Sequence, residues 1–200
     1  MMIEDEFTNL DKVKQSFKRE EYKVLGETAI QYIGMFQSDP KFDPYLSLAE
    51  ELDVPVCIHM NGGGRGQVFS WAPKYRASLS NPLLLEETLV SHPKLRLWVA
   101  HAGWPMLDEM VNMLFTYPKL FVDVSFIDWM QPKKEFYRYL RRLVEAGFSD
   151  QILYGSDQIY WPDAIPYSIN NIKSADFLTE SQKQDIFFNN AVGFLRIQFE

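Results

Sequence analysis

Val54-Pro-Val-Cys-Ile-His-Met60, running straight into Asn61-Gly-Gly-Gly64, is the stretch on which the fold turns. It is apolar and β-branched, ends in an imidazole and breaks into glycines. That pattern reads as a buried parallel strand handing a histidine to its C-terminal end. Leu95-Arg-Leu-Trp-Val-Ala-His-Ala-Gly103 repeats it with a second histidine, and Ile152-Leu-Tyr-Gly-Ser-Asp157 ends in a carboxylate instead.

Outward from these runs, helices and strands alternate. Leu10, Val13 and Phe17 are spaced as one face of a short amphipathic helix. Residues 22–30 read as a strand with Lys23, Leu25 and Glu27 on one face. Asp43-Pro44 reads as a helix start, with Asp as N-cap and Pro first in the helix. Residues 61–80 form a long glycine-rich loop of the kind that is often functional. Asn81-Pro82 caps the next helix, and Trp104-Pro105 precedes another running to about Thr116. Residues 120–125 are a strand. Pro132 opens a helix that Gly147 stops, and Thr179-x-x-Gln182 is a capping box for the last helix. Such alternation implies a parallel sheet with helical crossovers, in one α/β domain over 1–200.

Composition narrows the function classes. With 27 acidic against 20 basic residues, the net charge is −7, which argues against nucleic acid as partner. No apolar run approaches the roughly 18 residues of a membrane span. Residues 1–7 lack the basic and apolar regions of a signal peptide, so cytoplasm is the expected location. The single cysteine, Cys57, excludes an intrachain disulfide framework.

In a parallel barrel, chemistry sits at the C-terminal strand ends. Glu27, His59, His101 and Asp157 all fall there, on four different strands. Two imidazoles and one or two carboxylates suit a divalent metal such as zinc or manganese. Such an ion brings water to a pKa of about 7, where a nearby Asp or His can take its proton. Asp123 and Ser125 share the same strand face and read as polar support.

Pro55-Val-Cys-Ile-His59, Val99-Ala-His-Ala-Gly103 and Tyr154-Gly-Ser-Asp-Gln-Ile-Tyr-Trp-Pro162 resemble motifs of the amidohydrolase superfamily. The nearest branch is the amidohydrolase-related group of metal-dependent hydrolases and decarboxylases, and Asn189-Asn-Ala191 resembles its C-terminal element. The resemblance covers roughly residues 22–196. It implies a TIM-type (β/α)8 barrel, here an N-terminally truncated one of about five parallel strands, matching strands four to eight. It implies His59 as a metal ligand and His101 as a second ligand or acid/base. Asp157 would bind metal and accept the proton of the attacking water, with Glu27 a further ligand. The chain departs from the family pattern in having no His-x-His before Glu27; its histidines are His59, His92 and His101. Five strands cannot close the eight-stranded cylinder, so an edge is left to be covered or to drive self-association, including a homo-oligomer.

The implied activity is hydrolysis of a C–N or ester bond in a small molecule, with decarboxylation as a variant. Arg65, Trp104 and Trp161 are the candidate substrate contacts, and Lys74 or Arg76 could serve a substrate carboxylate as Arg65 would. The bland readings are a core histidine at 59, a structural His92 on the opposite rim and a Met-rich core helix. Asn61-Gly-Gly-Gly-Arg-Gly66 lacks the spacing of a phosphate loop and reads as a mobile substrate loop. The alternative function is a catalytically inactive partial barrel acting as a binding or assembly module, or an incomplete gene product.

Overall fold

The computed structural model describes residues 9–199, so the reading of residues 1–7 lies outside the described part. Five short strands form one sheet: β1 (Leu25–Thr28), β2 (Val56–His59), β3 (Leu97–Ala100), β4 (Leu120–Asp123) and β5 (Ile152–Leu153). They lie in sequence order and every neighbouring pair is parallel. With helices between them, they make up part of an α/β barrel.

The period of two along each strand sorts the residues onto two faces. Ile58, Val99, Val122 and Ile152 share one register row, and all are fully buried. That row lies on the outer face, where the crossover helices seal it from water. On the inner face the corresponding row is His59, Ala100, Asp123 and Leu153, above Cys57, Trp98 and Phe121. The inner face thus carries His59 and Asp123, whereas Val99 lies in the outer row, so period-two parity does not bring His101 inward; the turn that follows β3 does.

The helices are α1 (Leu10–Lys18), α2 (Asp43–Glu51), α3 (Glu86–Ser91), α4 (Leu107–Thr116), α5 (Ile127–Met130), α6 (Lys133–Glu145), α7 (Ala164–Lys173), α8 (Glu180–Gln184) and α9 (Asn190–Leu195). In α6, Phe136, Tyr139, Leu140 and Leu143 form the buried stripe. It ends as expected: Gly147 takes φ +97°, and Phe148 N–H donates to the Leu143 carbonyl at 3.2 Å. Thr179 and Gln182 form the reciprocal capping box that opens α8.

Two local readings change. Asp43 does not cap α2: Phe42 is the N-cap residue, and the Asp43 carboxylate instead lies 3.0 Å from His92 Nε2. With Glu50 on its other nitrogen at 3.7 Å, buried His92 clamps α2 to the turn before β3, a structural role. Helix α7 escapes the sequence reading because its buried face is Ser168, Asn171 and Ile172, too polar to show a stripe.

The free edge of β5 is covered from within the chain. Tyr154 N–H donates to the Ile186 carbonyl at 2.9 Å, and Asn190 Nδ2 reaches the carbonyls of Ser149 and Ile152, both at 2.8 Å. From α9, Phe194 stands against the inner face, its ring 5.6 Å from Trp98 and 4.7 Å from Phe121. No helix among the described residues is long and apolar enough to cross a membrane.

Candidate metal centre

β2 delivers His59, and the register sets it beside Ala100, so His101 stands one residue beyond on the next strand. There the chain turns sharply, with His101 at φ +63°, Ala102 at +49° and Gly103 at +68°. Left-handed backbone at a non-glycine residue costs free energy and persists only where surroundings enforce it. Asp123 enforces it here. Its Oδ1 accepts the His101 backbone N–H at 3.0 Å, the Ser125 N–H at 2.9 Å and the Ser125 hydroxyl at 2.5 Å. Its Oδ2 accepts the indole N–H of Trp98 at 3.0 Å. Asp123 and Ser125 are therefore the polar support the sequence suggested.

The buried His101 ring is oriented by the same segment. Its Nδ1 lies 3.0 Å from the Ser125 carbonyl, an acceptor only, so Nδ1 carries a proton. Nε2 is thereby aimed at Glu27 Oε1 and His59 Nδ1, each 3.1 Å away. Glu27 also bonds His59 Nδ1 directly. Glu27 reaches this point because β1 passes unusually close to β2. At Gly26, with φ +151°, a Cβ would sit 2.6 Å from Cys57 Cβ.

The electrostatics follow from these contacts. Burial works against ionisation of Glu27, but the hydrogen bonds from His101 and His59 outweigh it and hold its carboxyl well below the usual carboxylate range. For His101, burial opposes the charged ring, yet Glu27 and the Asp123 charge prevail and raise its pKa to about 9. Burial pushes the Cys57 thiol far up, so it is no nucleophile.

The ligand atoms of Glu27, His59 and His101 all lie within 4.8 Å of one another. The two separations of 3.1 Å approach the roughly 3.3 Å that a tetrahedral ion with bonds of about 2.0–2.1 Å sets between its ligands. Two imidazole nitrogens and one carboxylate suit zinc or manganese, so the residues fit such an ion.

The other expected site residues are distributed around this cluster. Asp157 follows β5 in a left-handed conformation, φ +49°, and is exposed. It stands apart from the three clustered residues yet within electrostatic reach of them: burial of its carboxyl is the largest influence and raises its pKa, the charges of His101 and His59 oppose it, and that of Glu27 adds to it. Trp104 is half-buried, its indole N–H 3.4 Å from Glu135 Oε1. Trp161 is 60% exposed, beside Trp129, whose ring contacts Phe126 against His101. Arg65 is exposed on the glycine loop.

That loop is braced. Gly62 N–H donates to Trp104 O at 2.9 Å, Gly63 N–H to Asn61 Oδ1 at 2.7 Å and Gly64 N–H to Gln67 Oε1 at 2.6 Å. With these amides already spent, they form no phosphate cradle.

Tyr32 is the residue that sequence reasoning missed. It lies on a 3-10 turn, Ile30–Ile33, and its hydroxyl is 2.7 Å from His59 Nε2. Burial, with the charges of Tyr75, Glu27 and Asp157, raises its pKa, so it stays a neutral phenol. The carboxylate two residues past Leu25 was visible in sequence; a tyrosine in an irregular turn gave no signal.

A parallel α/β barrel segment with a carboxylate and two imidazoles converging at its C-terminal rim defines a barrel protein with a candidate metal centre. The chain belongs to the amidohydrolase family, whose model matches residues 28–197. Among solved structures it is similar to an uncharacterised TIM-barrel protein from Bordetella bronchiseptica, at 16% identity and TM-score 0.67, over 98% of this chain and 65% of that one. It is similar to a probable 2-pyrone-4,6-dicarboxylic acid hydrolase from Acinetobacter baumannii with citric acid bound, at 16% identity and TM-score 0.64, over 95% and 70%. A third is a 5-carboxyvanillate decarboxylase from Novosphingobium aromaticivorans, complexed with manganese and 4-hydroxy-3-methoxy-5-nitrobenzoic acid. There the identity is 15% and the TM-score 0.60, over 94% and 60%. The chain thus spans less than two thirds of the Bordetella and Novosphingobium proteins. A search of curated proteins finds no match.

Proposed function

We propose that this chain carries the metal site of a metal-dependent hydrolase, acting on a C–N or ester bond of a small molecule. The observation that carries this reading is the convergence of Glu27, His59 and His101 ligand atoms within 4.8 Å. Zinc is the ion proposed, with manganese the alternative, and the chain is proposed to work as one domain in the cytoplasm.

When bound, the ion supplies Lewis acidity and brings the pKa of water from 15.7 to about 7. The chain's own residues do the rest. Glu27, His59 and His101 hold the ion, with the geometry of His101 fixed by Asp123 and Ser125. Asp157, whose carboxyl holds its proton more tightly than an ordinary aspartate, would accept the proton of the attacking water and would add a further donor to the ion. Trp104 and Trp161 wall the substrate, and Arg65 receives a substrate carboxylate. A carboxylated substrate accords with the dicarboxylic acid and carboxyvanillate named for the relatives. A decarboxylase is the second reading, favoured by the manganese-containing relative.

The test is elemental analysis of the purified chain after zinc or manganese supplementation, together with turnover of small carboxylated esters, lactones and aromatic acids. About one ion per chain, lost in His59→Ala along with turnover while the fold persists, is the expected result. No ion in the wild type refutes the reading and leaves a non-catalytic binding or assembly module.

A further inference from the structure

The 3-10 turn Ile30–Ile33 grips His59 from two directions. Gln31, fully buried, donates its Nε2 to the His59 carbonyl at 2.9 Å. Tyr32 places its hydroxyl 2.7 Å from Nε2 of the ring. The phenol is packed in turn, with ring centroids 5.1 Å from His59, 4.9 Å from Trp71 and 5.7 Å from Tyr75. Gly34 closes the turn at φ +82°, where an added Cβ would meet the Lys74 carbonyl oxygen at 3.2 Å. The turn is therefore seated closely against its neighbours.

We propose that Tyr32 is a positioning residue for the metal centre, holding the His59 imidazole in place through the tautomer change that ion uptake requires. Without an ion, His59 Nδ1 meets Glu27 Oε1, which only accepts, and lies 3.1 Å from His101 Nε2, which is equally close to that same carboxylate oxygen; with both rings donating to Glu27, His59 Nδ1 carries a proton. When that ring is neutral, its Nε2 accepts from the Tyr32 hydroxyl. For Nδ1 to give its lone pair to an ion, the ring proton must move to Nε2, which then donates to the Tyr32 oxygen. A hydroxyl serves both states by rotating about its own C–O bond. An ammonium or a carboxylate at this position would serve only one. The partner on the non-ligating nitrogen fixes tautomer and orientation, and loss of such a partner weakens metal binding about 10–100-fold.

This inference rests on the reading that the cluster takes a divalent ion, and the experiment separates the two. Zinc affinity is measured by competition with a chromophoric chelator for wild type, Tyr32→Phe and Tyr75→Phe. The Tyr75 hydroxyl bonds Asn61 O and Ser80 Oγ, both at 3.3 Å, and does not touch His59. Tyr32→Phe is expected to bind zinc about 10–100-fold more weakly with an unchanged circular dichroism spectrum, and Tyr75→Phe to stay within about twofold. Nitrogen-15 NMR of wild type supplies a readout independent of any variant: the His59 proton is expected on Nδ1 before zinc and on Nε2 after it. Zinc uptake by wild type with equal affinity in Tyr32→Phe overturns this inference alone, whereas a proton left on Nδ1 overturns it together with the assignment of His59 as a ligand through that nitrogen. No zinc uptake by wild type overturns it together with the proposed function.

Discussion

Asp128 offers the sharpest test of the packing. It sits on α5, fully buried against α7, with Oδ2 accepting the Ser168 hydroxyl and Oδ1 without a partner among the described residues. Asn171 Nδ2 donates at 2.7 Å to the Asp128 main-chain carbonyl rather than to its carboxylate. Burial is the largest influence on this carboxyl; the Ser168 hydrogen bond opposes it, the Asp123 charge adds to it, and the pKa is raised from 3.8 to about 7. A carboxyl with a raised folded-state pKa destabilises the fold wherever the unfolded chain has released a proton that the native state keeps. Stability is therefore full below pH 4, falls as pH rises from about 4 to 7, and stays low above 7. Roughly three pKa units at about 1.36 kcal/mol each amount to about 4 kcal/mol. Asp128→Asn keeps the shape and removes the ionisation. It should leave stability near pH 4.5 within about 1 kcal/mol of wild type and raise it by about 2–4 kcal/mol at pH 8. Urea unfolding of both proteins at pH 4.5, 6 and 8 measures this. Parallel pH profiles, or a variant less stable than wild type at pH 8, would refute the assignment of a buried carboxyl that keeps its proton up to about pH 7.

Three further outcomes follow from the site. Gly26→Ala forces a Cβ to 2.6 Å from Cys57 Cβ and 2.7 Å from its carbonyl oxygen. It should destabilise the fold by about 2–3 kcal/mol in urea unfolding and weaken metal binding through Glu27; a neutral variant would contradict the close approach of β1 and β2. Zinc at a hundred times its dissociation constant should stabilise wild type by about 2.7 kcal/mol, a gain that chelator removes and Glu27→Gln lacks. Equal thermal shifts in the two proteins would place the ion elsewhere. Asp157→Asn should lower kcat by about 100-fold or more while zinc remains bound, because Asp157 stands outside the group of three; unchanged turnover in pre-steady-state assays would remove it from the proton-transfer role.

How much of this could be read from residues alone depended on whether a pattern or a meeting set the structure. The strand runs ending at His59 and His101 were legible because buried parallel strands are apolar on both faces, but period-two parity holds only for His59, since Val99 lies in the outer row and His101 is turned inward after the strand ends. The caps at Gly147 and Thr179 were legible for a similar reason, since their chemistry is confined to neighbours in sequence. Asp43 looked like a cap because only its neighbours are visible in sequence, whereas His92, 49 residues on, is the partner that claims it. Tyr32 had no periodic signal, and its role depends on a ring 27 residues away. The turns at His101 and Asp157 were hidden more deeply, since histidine and aspartate enter the left-handed region more often than other non-glycine residues but still in only a small minority of positions. At His101 the cause is traceable to Asp123, which gathers the backbone of the turn and the Ser125 hydroxyl on one oxygen. Sequence thus placed Glu27, His59 and His101 at or beside strand ends, while their meeting at one point is a property of tertiary contacts that only the folded chain supplies.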